Sequence, residues 1–390
     1  MISITDKTKC SGCYACVNIC PKDCILMSTD QEGFWYPKVD ADKCVNCGLC
    51  EKVCPILSPL PEKAEENPPA YAVVNQDAEV REQSSSGGVF TLLAEEILAQ
   101  GGAVFGVALS KDVKKAEHIC VTKETDLGAL RGSKYFQSQV GDTYRQAKKW
   151  LGEGKPVLFT GTPCQIAGLK AYLGKEEPLL YTQDIICHGV PSPAVWTEYL
   201  RDREKKENAK VCGASFRHKK YGWKRFSMRL EFENGNEVVE DLKTDLFMRG
   251  FLSDICLRPS CYACAFKGEG CVADITLADF WGIENVLPEM DDDRGISLVL
   301  IRTEKGKALF EKVKGRCNVQ GVPFAEAVQQ NPAVRRPAIL PKKRKIFMEE
   351  FEKKPIDKLL DRHSKRPLSD VVVGKAKWFV KGVLRKLGLR

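Results

Sequence analysis

A repeated cysteine spacing constrains this chain more than any other feature. Cys10, Cys13, Cys16 and Cys20 are followed by Pro21, and Cys44, Cys47, Cys50 and Cys54 by Pro55. Each run reads C-x2-C-x2-C-x3-C-P, the spacing of bacterial two-cluster ferredoxins. In that arrangement three thiolates of one run hold three corners of a 4Fe-4S cubane, and the fourth crosses to the other cluster. The pattern predicts one cluster on Cys10, Cys13, Cys16 and Cys54 and a second on Cys44, Cys47, Cys50 and Cys20. C-x2-C pairs also bind zinc, but zinc needs neither a third Cys at the same spacing nor a Pro twice over. Cys24 falls outside both frames and reads as a core thiol.

The 390 residues allow two or three domains. The 18 cysteines do not suit a disulfide framework, which belongs to short secreted chains. The opening MISITDKTKC lacks the apolar core of a secretory signal. The sequence holds no run of eighteen or more apolar residues, so no helix is expected to span a bilayer. The expected setting is a reducing cytoplasm. The net charge of +8 is concentrated at the C-terminal end, where residues 333–390 hold 18 Lys or Arg against 6 Asp or Glu. Basicity is therefore a property of the tail, and nothing else in the chain supports nucleic-acid binding.

Pattern and punctuation divide the chain into a two-cluster module (1–57), a Pro- and Glu-rich linker (58–70), α/β segments at 71–150 and 151–322, and a basic tail (323–390). A hairpin is expected between the cysteine runs, turning near Gln31-Glu32-Gly33. The tail ends in GKAKWFVKGVLRKLGLR, which patterns as an amphipathic helix. Peripheral contact with the inner face of a membrane, through that helix and Trp378, and docking on protein are equally open.

Several residues carry chemical signals of their own. Ser84 to Gly88 reads SSSGG ahead of the helix VFTLLAEEILAQ. Uncrowded N–H groups at a helix start suit a phosphate, although a plain N-cap has the same look. Cys164 follows Thr162 and Pro163 at the start of another helix, where the dipole would lower a thiol's pKa, although a small buried Cys packed on the sheet is the commoner fate of a free thiol. Cys187 and His188 end the next strand and should reach the same rim of the sheet. Lys134 offers a cation that could face a reduced flavin, or simply solvent. Late in the chain, Cys256, Cys261, Cys264 and Cys271 form C-x4-C-x2-C-x6-C, a spacing that leaves zinc and an iron–sulfur centre both open.

Taken together, SSSGGVFTLLAEEIL, RGSKYFQS, FTGTPCQIAGLKAYL, QDIICHGVPSP and RPSCYACAFKGEGCVADITLADFWG resemble the beta-subunit family of coenzyme F420-reducing hydrogenase and formate dehydrogenase. That family is similar to the chloroplast enzyme that reduces hydroxymethyl chlorophyll, so its members do not share one substrate. The resemblance implies FAD and a further 4Fe-4S cluster, hence three clusters in all. It implies that the late cluster is held by Cys256, Cys261, Cys264 and Cys271. It draws Ser85, Ser86, Gly87, Gly88, Lys134 and Thr162 into the flavin site, with Cys164 and His188 assisting proton transfer.

The expected fold is α+β: a bacterial-ferredoxin-like module followed by mixed α/β flavin- and iron–sulfur-binding domains. The expected activity is electron transfer from a ferredoxin or other redox protein, through clusters and FAD, to a small organic acceptor, or the reverse. The alternative is an electron-transfer subunit with no substrate of its own.

Overall fold

In the computed structural model of the chain, residues 1–61 and 65–365 are described. Each cysteine run turns on left-handed residues: Gly12 (φ 68°) and Tyr14 (φ 66°) flank Cys13, while Asn46 (φ 50°) and Gly48 (φ 73°) flank Cys47. Single residues at positive φ reverse a chain tightly, at least cost for Gly and next for Asn. Both runs thereby curl so that their thiols face inward. Short helices follow, α1 (Ala15–Ile19) and α2 (Leu49–Lys52). Between them β1 (Ile25–Thr29) and β2 (Trp35–Val39) pair antiparallel, around a turn that contains Gln31-Glu32-Gly33.

The larger part begins with β3 (Ala70–Asn75), α3 (Ala78–Gln83), α4 (Val89–Ala99), β4 (Ala103–Leu109) and β5 (Ala116–Val121). It continues through α5 (Thr143–Gly152), β6 (Val157–Thr160), α6 (Pro163–Leu173), β7 (Leu180–Ile185) and α7 (Pro193–Glu207). A separate three-stranded sheet then forms from β8 (Val211–His218), β9 (Ser227–Phe232) and β10 (Glu237–Asp241), followed by α8 (Leu246–Leu252). The chain returns to the main sheet with β11 (Ile275–Asp279), β12 (Ser297–Ile301) and β13 (Cys317–Val322).

The main sheet has the order β13-β3-β12-β11-β7-β6-β4-β5. β4, β6, β7 and β11 are mutually parallel, and β12 is antiparallel to both β11 and β3, so β3 runs with them. Their carboxyl ends therefore share one edge, the edge where open α/β sheets place ligands. Central strands covered on both faces read as continuous apolar runs, as in Val157–Thr160. On one face lie Leu93 and Ile97 of α4; on the other, Tyr144 of α5 and Ile166 of α6, all fully buried. Each such aliphatic side chain contributes about 1.5–3 kcal/mol. The segments 71–150 and 151–322 both supply strands to this sheet, and 151–322 also supplies the separate three-stranded one.

The cysteine module is docked closely on this sheet. Arg145 of α5 donates from Nε to Asn18 O (2.7 Å) and from Nη2 to Cys20 O (3.0 Å), while Asn18 Nδ2 donates to Gly141 O (2.9 Å). A Cβ on Gly168 of α6 would lie 2.9 Å from Cβ of Cys13, so glycine there permits the close approach.

The weak pattern after Pro323 conceals structured chain. Helices Lys343–Glu350 and Ile356–Ser364 bring Phe347, Leu359 and Leu360 into the apolar cluster of Trp196 and Phe247. Arg344 donates to both carboxylate oxygens of Glu32, at 3.0 and 2.6 Å, fastening this segment to the module's hairpin turn. Basic side chains masked its amphipathic period, so the basic tail expected over 323–390 is in part core. The expected terminal helix, with Trp378, lies outside the described residues.

Candidate iron–sulfur and cofactor sites

The module encloses two thiol-lined hollows. One, of about 390 Å³, is lined by Cys10, Cys13, Cys16 and Cys54; the other, of about 360 Å³, by Cys20, Cys44, Cys47 and Cys50. The fourth cysteine of each run thus crosses to the other set. Cys24 is buried, yet it also lines the second hollow, its Sγ 3.3 Å from that of Cys20. Among the described residues no His, Cys, Asp and Glu group converges as ligands of a single ion would. The second hollow opens outward: Cys47 is exposed, and Val45 and Lys22 stand at its border. The first lies against the sheet, where the Tyr144 hydroxyl sits 2.8 Å from Cys13 O and 2.6 Å from Gln165 O. Burial pushes the Cys13 thiol up to about 12. Deprotonation there needs the driving force of a metal centre, so loading releases protons.

A third hollow, of about 550 Å³, lies at the carboxyl edge of the sheet and gathers Cys164, Cys187, Cys261 and Cys264. Three elements supply them. Cys164 follows β6 in the first turn of α6, whose start is fixed by Pro163 and a capping box between Thr162 and Gln165. Cys187 follows β7, the neighbour of β6. Cys261 and Cys264 sit in and just after the 3-10 turn Pro259–Ala263, and Cys261 Sγ accepts from Val190 N at 3.5 Å. Thr8, Ser11 and Ile56 of the module complete the wall, so this hollow adjoins the first thiol set.

The late cysteines therefore separate. Cys261 and Cys264 are together, whereas Cys256 and Cys271 do not line this hollow. Cys256 is fully buried in the apolar cluster with Leu257 and Phe347. The Cys271 thiol donates to Phe266 O at 3.4 Å. Cys164 also departs from the expected low-pKa thiol. Burial pushes it well above the ordinary thiol value, with the Cys264 sulfur next in effect. Its helix start cannot offset that desolvation. His188 Nε2 lies 2.6 Å from Asp254 Oδ1, its ring edge-on to Phe251. The signal for the third set was the placement of Cys164 and Cys187 after neighbouring parallel strands, which outweighs spacing along the chain.

A second site occupies the other part of the same edge. Ser85 Oγ lies 2.9 Å from Ser133 Oγ, and Ser86 Oγ donates to Ile296 O (2.6 Å). Gly87 N donates to Ser297 Oγ (2.9 Å), and a Cβ there would lie 2.3 Å from Val73 O. Gly88, at φ 83°, begins α4. Cations surround the loop. Lys134 Nζ donates to Ala129 O and Arg131 O; Arg217 Nη2 reaches Ser85 O (3.4 Å); Lys219 Nζ donates to Arg81 O (2.6 Å). Desolvation lowers Lys134 to about 7 and Lys219 to about 8. Arg217 is buried, paired with both oxygens of Asp279 at the end of β11, and its Nε has no hydrogen-bond partner.

Lys134 thus joins Ser85, Ser86, Gly87 and Gly88, while Thr162 lies with the third thiol set, its Oγ1 3.2 Å from Cys164 Sγ. Arg217, Lys219 and Asp279 were missed. Their signal was a cluster of charges at strand ends, FRHKK and LADFW. β11 and β7 are adjacent, and neighbouring strands lie about 4.8 Å apart, so Asp279 stands one strand from the chain leading to Cys187.

Residues 9–56 match a 4Fe-4S dicluster domain. Residues 70–143 match the N-terminal part, and 154–324 the C-terminal part, of the coenzyme F420 hydrogenase/dehydrogenase beta subunit. Among solved structures, the chain is similar to one from the F420-reducing [NiFe] hydrogenase complex of Methanosarcina barkeri. The identity is 17%, the TM-score 0.48, and the match covers 77% of this chain and 91% of that one. No curated protein matches. With a two-cluster 4Fe-4S domain joined ahead of both parts of the subunit, this chain belongs to the coenzyme F420 hydrogenase/dehydrogenase beta-subunit family.

Proposed function

We propose that the chain is an iron–sulfur flavoprotein oxidoreductase carrying three 4Fe-4S clusters and FAD, exchanging electrons between a ferredoxin-type partner and a small organic molecule. The observation that carries this reading is the succession of sites. An outward thiol set (Cys20, Cys44, Cys47, Cys50) is followed by an inner set (Cys10, Cys13, Cys16, Cys54). A third set (Cys164, Cys187, Cys261, Cys264) adjoins the inner one. The cation-bordered Ser85–Gly88 loop lies on the same sheet edge as the third set. When bound, clusters supply one-electron steps and a flavin the exchange between one- and two-electron chemistry.

Residues present fit these groups. Four thiols per hollow are a cubane's donor set. Glycines at the start of α4, Lys134 and the unpartnered Arg217 Nε suit a flavin's phosphates or its reduced ring. In this reading Thr162 orients Cys164 through its hydroxyl, and His188, held by Asp254, stands at the third hollow as a proton carrier. Residues 1–57 act as the input module, and 71–150 and 151–322 build the shared cofactor edge. Among the described residues no helix is long and apolar enough to cross a membrane.

Anaerobic reconstitution with iron and sulfide, followed by flavin extraction, tests the reading. It expects about twelve iron atoms per chain and bound FAD; zinc without sulfide would end it. The second reading, a subunit relaying electrons inside a larger complex, is favoured by the family's description as a hydrogenase/dehydrogenase subunit. Turnover of a small molecule by the isolated chain supports the first reading, and activity confined to a stable complex supports the second.

A further inference from the structure

Arg258 is among the largest fully buried side chains, and its surroundings are unusual for a guanidinium. Among the described residues its hydrogen bonds go to neutral oxygens: Nε to Cys10 O (2.8 Å), Nη1 to Gln137 Oε1 (3.0 Å) and Nη2 to Trp35 O (3.0 Å). Its Cζ lies 4.2 Å from the Tyr36 ring centroid. A Cβ on Gly12 would come within 3.2 Å of that carbon, so the charge rests directly on the Cys10–Cys13 turn. A buried cation with only neutral partners is costly, and it persists where an anion compensates it. The inner thiol set supplies that anion once its cysteines are ionised.

The same residue leads into the third set. Arg258 O accepts from Cys261 N at 2.9 Å, and Arg258 N donates to Val190 O at 2.9 Å. Its side chain thus touches the loop of one thiol set while its backbone is bonded to a cysteine of the next.

We propose that Arg258 is the built-in counter-charge of the centre held by Cys10, Cys13, Cys16 and Cys54, raising its reduction potential and making it the favoured resting place for an electron. This rests on the iron–sulfur reading above. A fixed positive charge stabilises the more negative, reduced state, and low-dielectric surroundings keep that effect from being screened. Arg258 acts through the centre and touches no substrate, so it is a positioning residue.

The test is a redox titration of the reconstituted full-length chain, followed by EPR. In Arg258→Gln one cluster signal should shift to more negative potential while the others hold. The shifting signal should be the one removed by Cys13→Ala. Arg258→Lys, which keeps the charge, should stay near the parent value. Gln137→Glu sets a carboxylate beside an intact Arg258 and should lower the same potential, which keeps the proposal testable if the Gln variant fails to fold. Unchanged potentials in both neutralising variants, or equal shifts in Lys and Gln variants, would overturn the role of Arg258. A parent chain that takes up no iron and sulfide would instead overturn the iron–sulfur reading, and the inference with it.

Discussion

The module's thiol sets and the third set are built by opposite routes. In the module every cysteine comes from one of two short runs, and the turns are set by residues beside them: Gly12, Tyr14, Asn46 and Gly48. The third set draws on two strand ends and a separate 3-10 turn, spread from Cys164 to Cys264. A local site costs little loop entropy to assemble, whereas the dispersed one exists only after β6 and β7 have paired and the late loop has docked. Where thiols gather locally, spacing along the chain brings them together; where they are dispersed, the topology of the sheet does.

The largest expected effect separates the dispersed set from the local ones. Cys164→Ala or Cys264→Ala should lower iron from about twelve to about eight atoms per chain and leave the module's two EPR signals in place. Cys271→Ser should keep all twelve or so. Loss of iron in Cys271→Ser with retention in Cys164→Ala would restore the late quartet of the sequence spacing and break the comparison. Cys256 is a less clean probe, because a hydroxyl in its apolar cluster costs stability whatever the thiol does.

Next comes the scaffold under the dispersed set. Trp196 is fully buried, stacked on Phe136 (5.3 Å) and against Phe247 (4.9 Å), and its Nε1 donates to Val113 O at 2.8 Å. Trp196→Ala should cost about 3–5 kcal/mol, read by denaturant unfolding. Iron in the third set should fall at lower denaturant than in the module, since only the former needs the distant elements held together. Simultaneous loss would show that the two are one cooperative unit.

A smaller effect probes the joint between the regions. Tyr144→Phe removes the hydroxyl shared by Cys13 O and Gln165 O, and should destabilise the chain by about 1 kcal/mol with all centres retained. A matching rise in the oxygen sensitivity of the inner centre would show that this contact seals it.

Much of the fold was legible because local rules agreed with one another. Thr162 and Pro163 mark the start of α6, and Gly174, at φ 70°, ends it; Asn234-Gly235, a turn pair, lies between β9 and β10. The crossing of Cys20 and Cys54 between the module's sets followed from spacing alone. What was hidden depended on contacts distant in sequence. The module's docking rests on Arg145, Asn18, Gly168 and Arg258, whose contacts join segments that the spacing of the motifs does not relate. The core helices after Lys343 were hidden by charge, since Arg344 is a buried ion-pair partner of Glu32 rather than a tail residue. Arg217 and Lys219 escaped notice because only the sheet edge brings them to the Ser85–Gly88 loop.

That loop offers the finest test, because Lys134 ties it to pH. Desolvation holds the Lys134 ammonium down to about 7, so it is charged below that pH and neutral above it. An anion beside the loop pairs only with the charged form and raises the lysine's pKa on binding. Affinity is therefore full below pH 7 and lost as pH rises, by about fivefold between pH 7 and 8 for one coupled proton. Calorimetry of FAD binding in buffers of different ionisation enthalpy should detect proton uptake at pH 8. Lys134→Met should flatten the profile at the weaker, high-pH affinity, and Lys134→Arg should hold the stronger affinity through pH 8, since a guanidinium stays charged. A slope that survives Lys134→Met would move the proton to Lys219, held down to about 8 in the same way. In either case the module's iron signals should not respond, because neither Lys134 nor any residue of this loop lines its two thiol hollows.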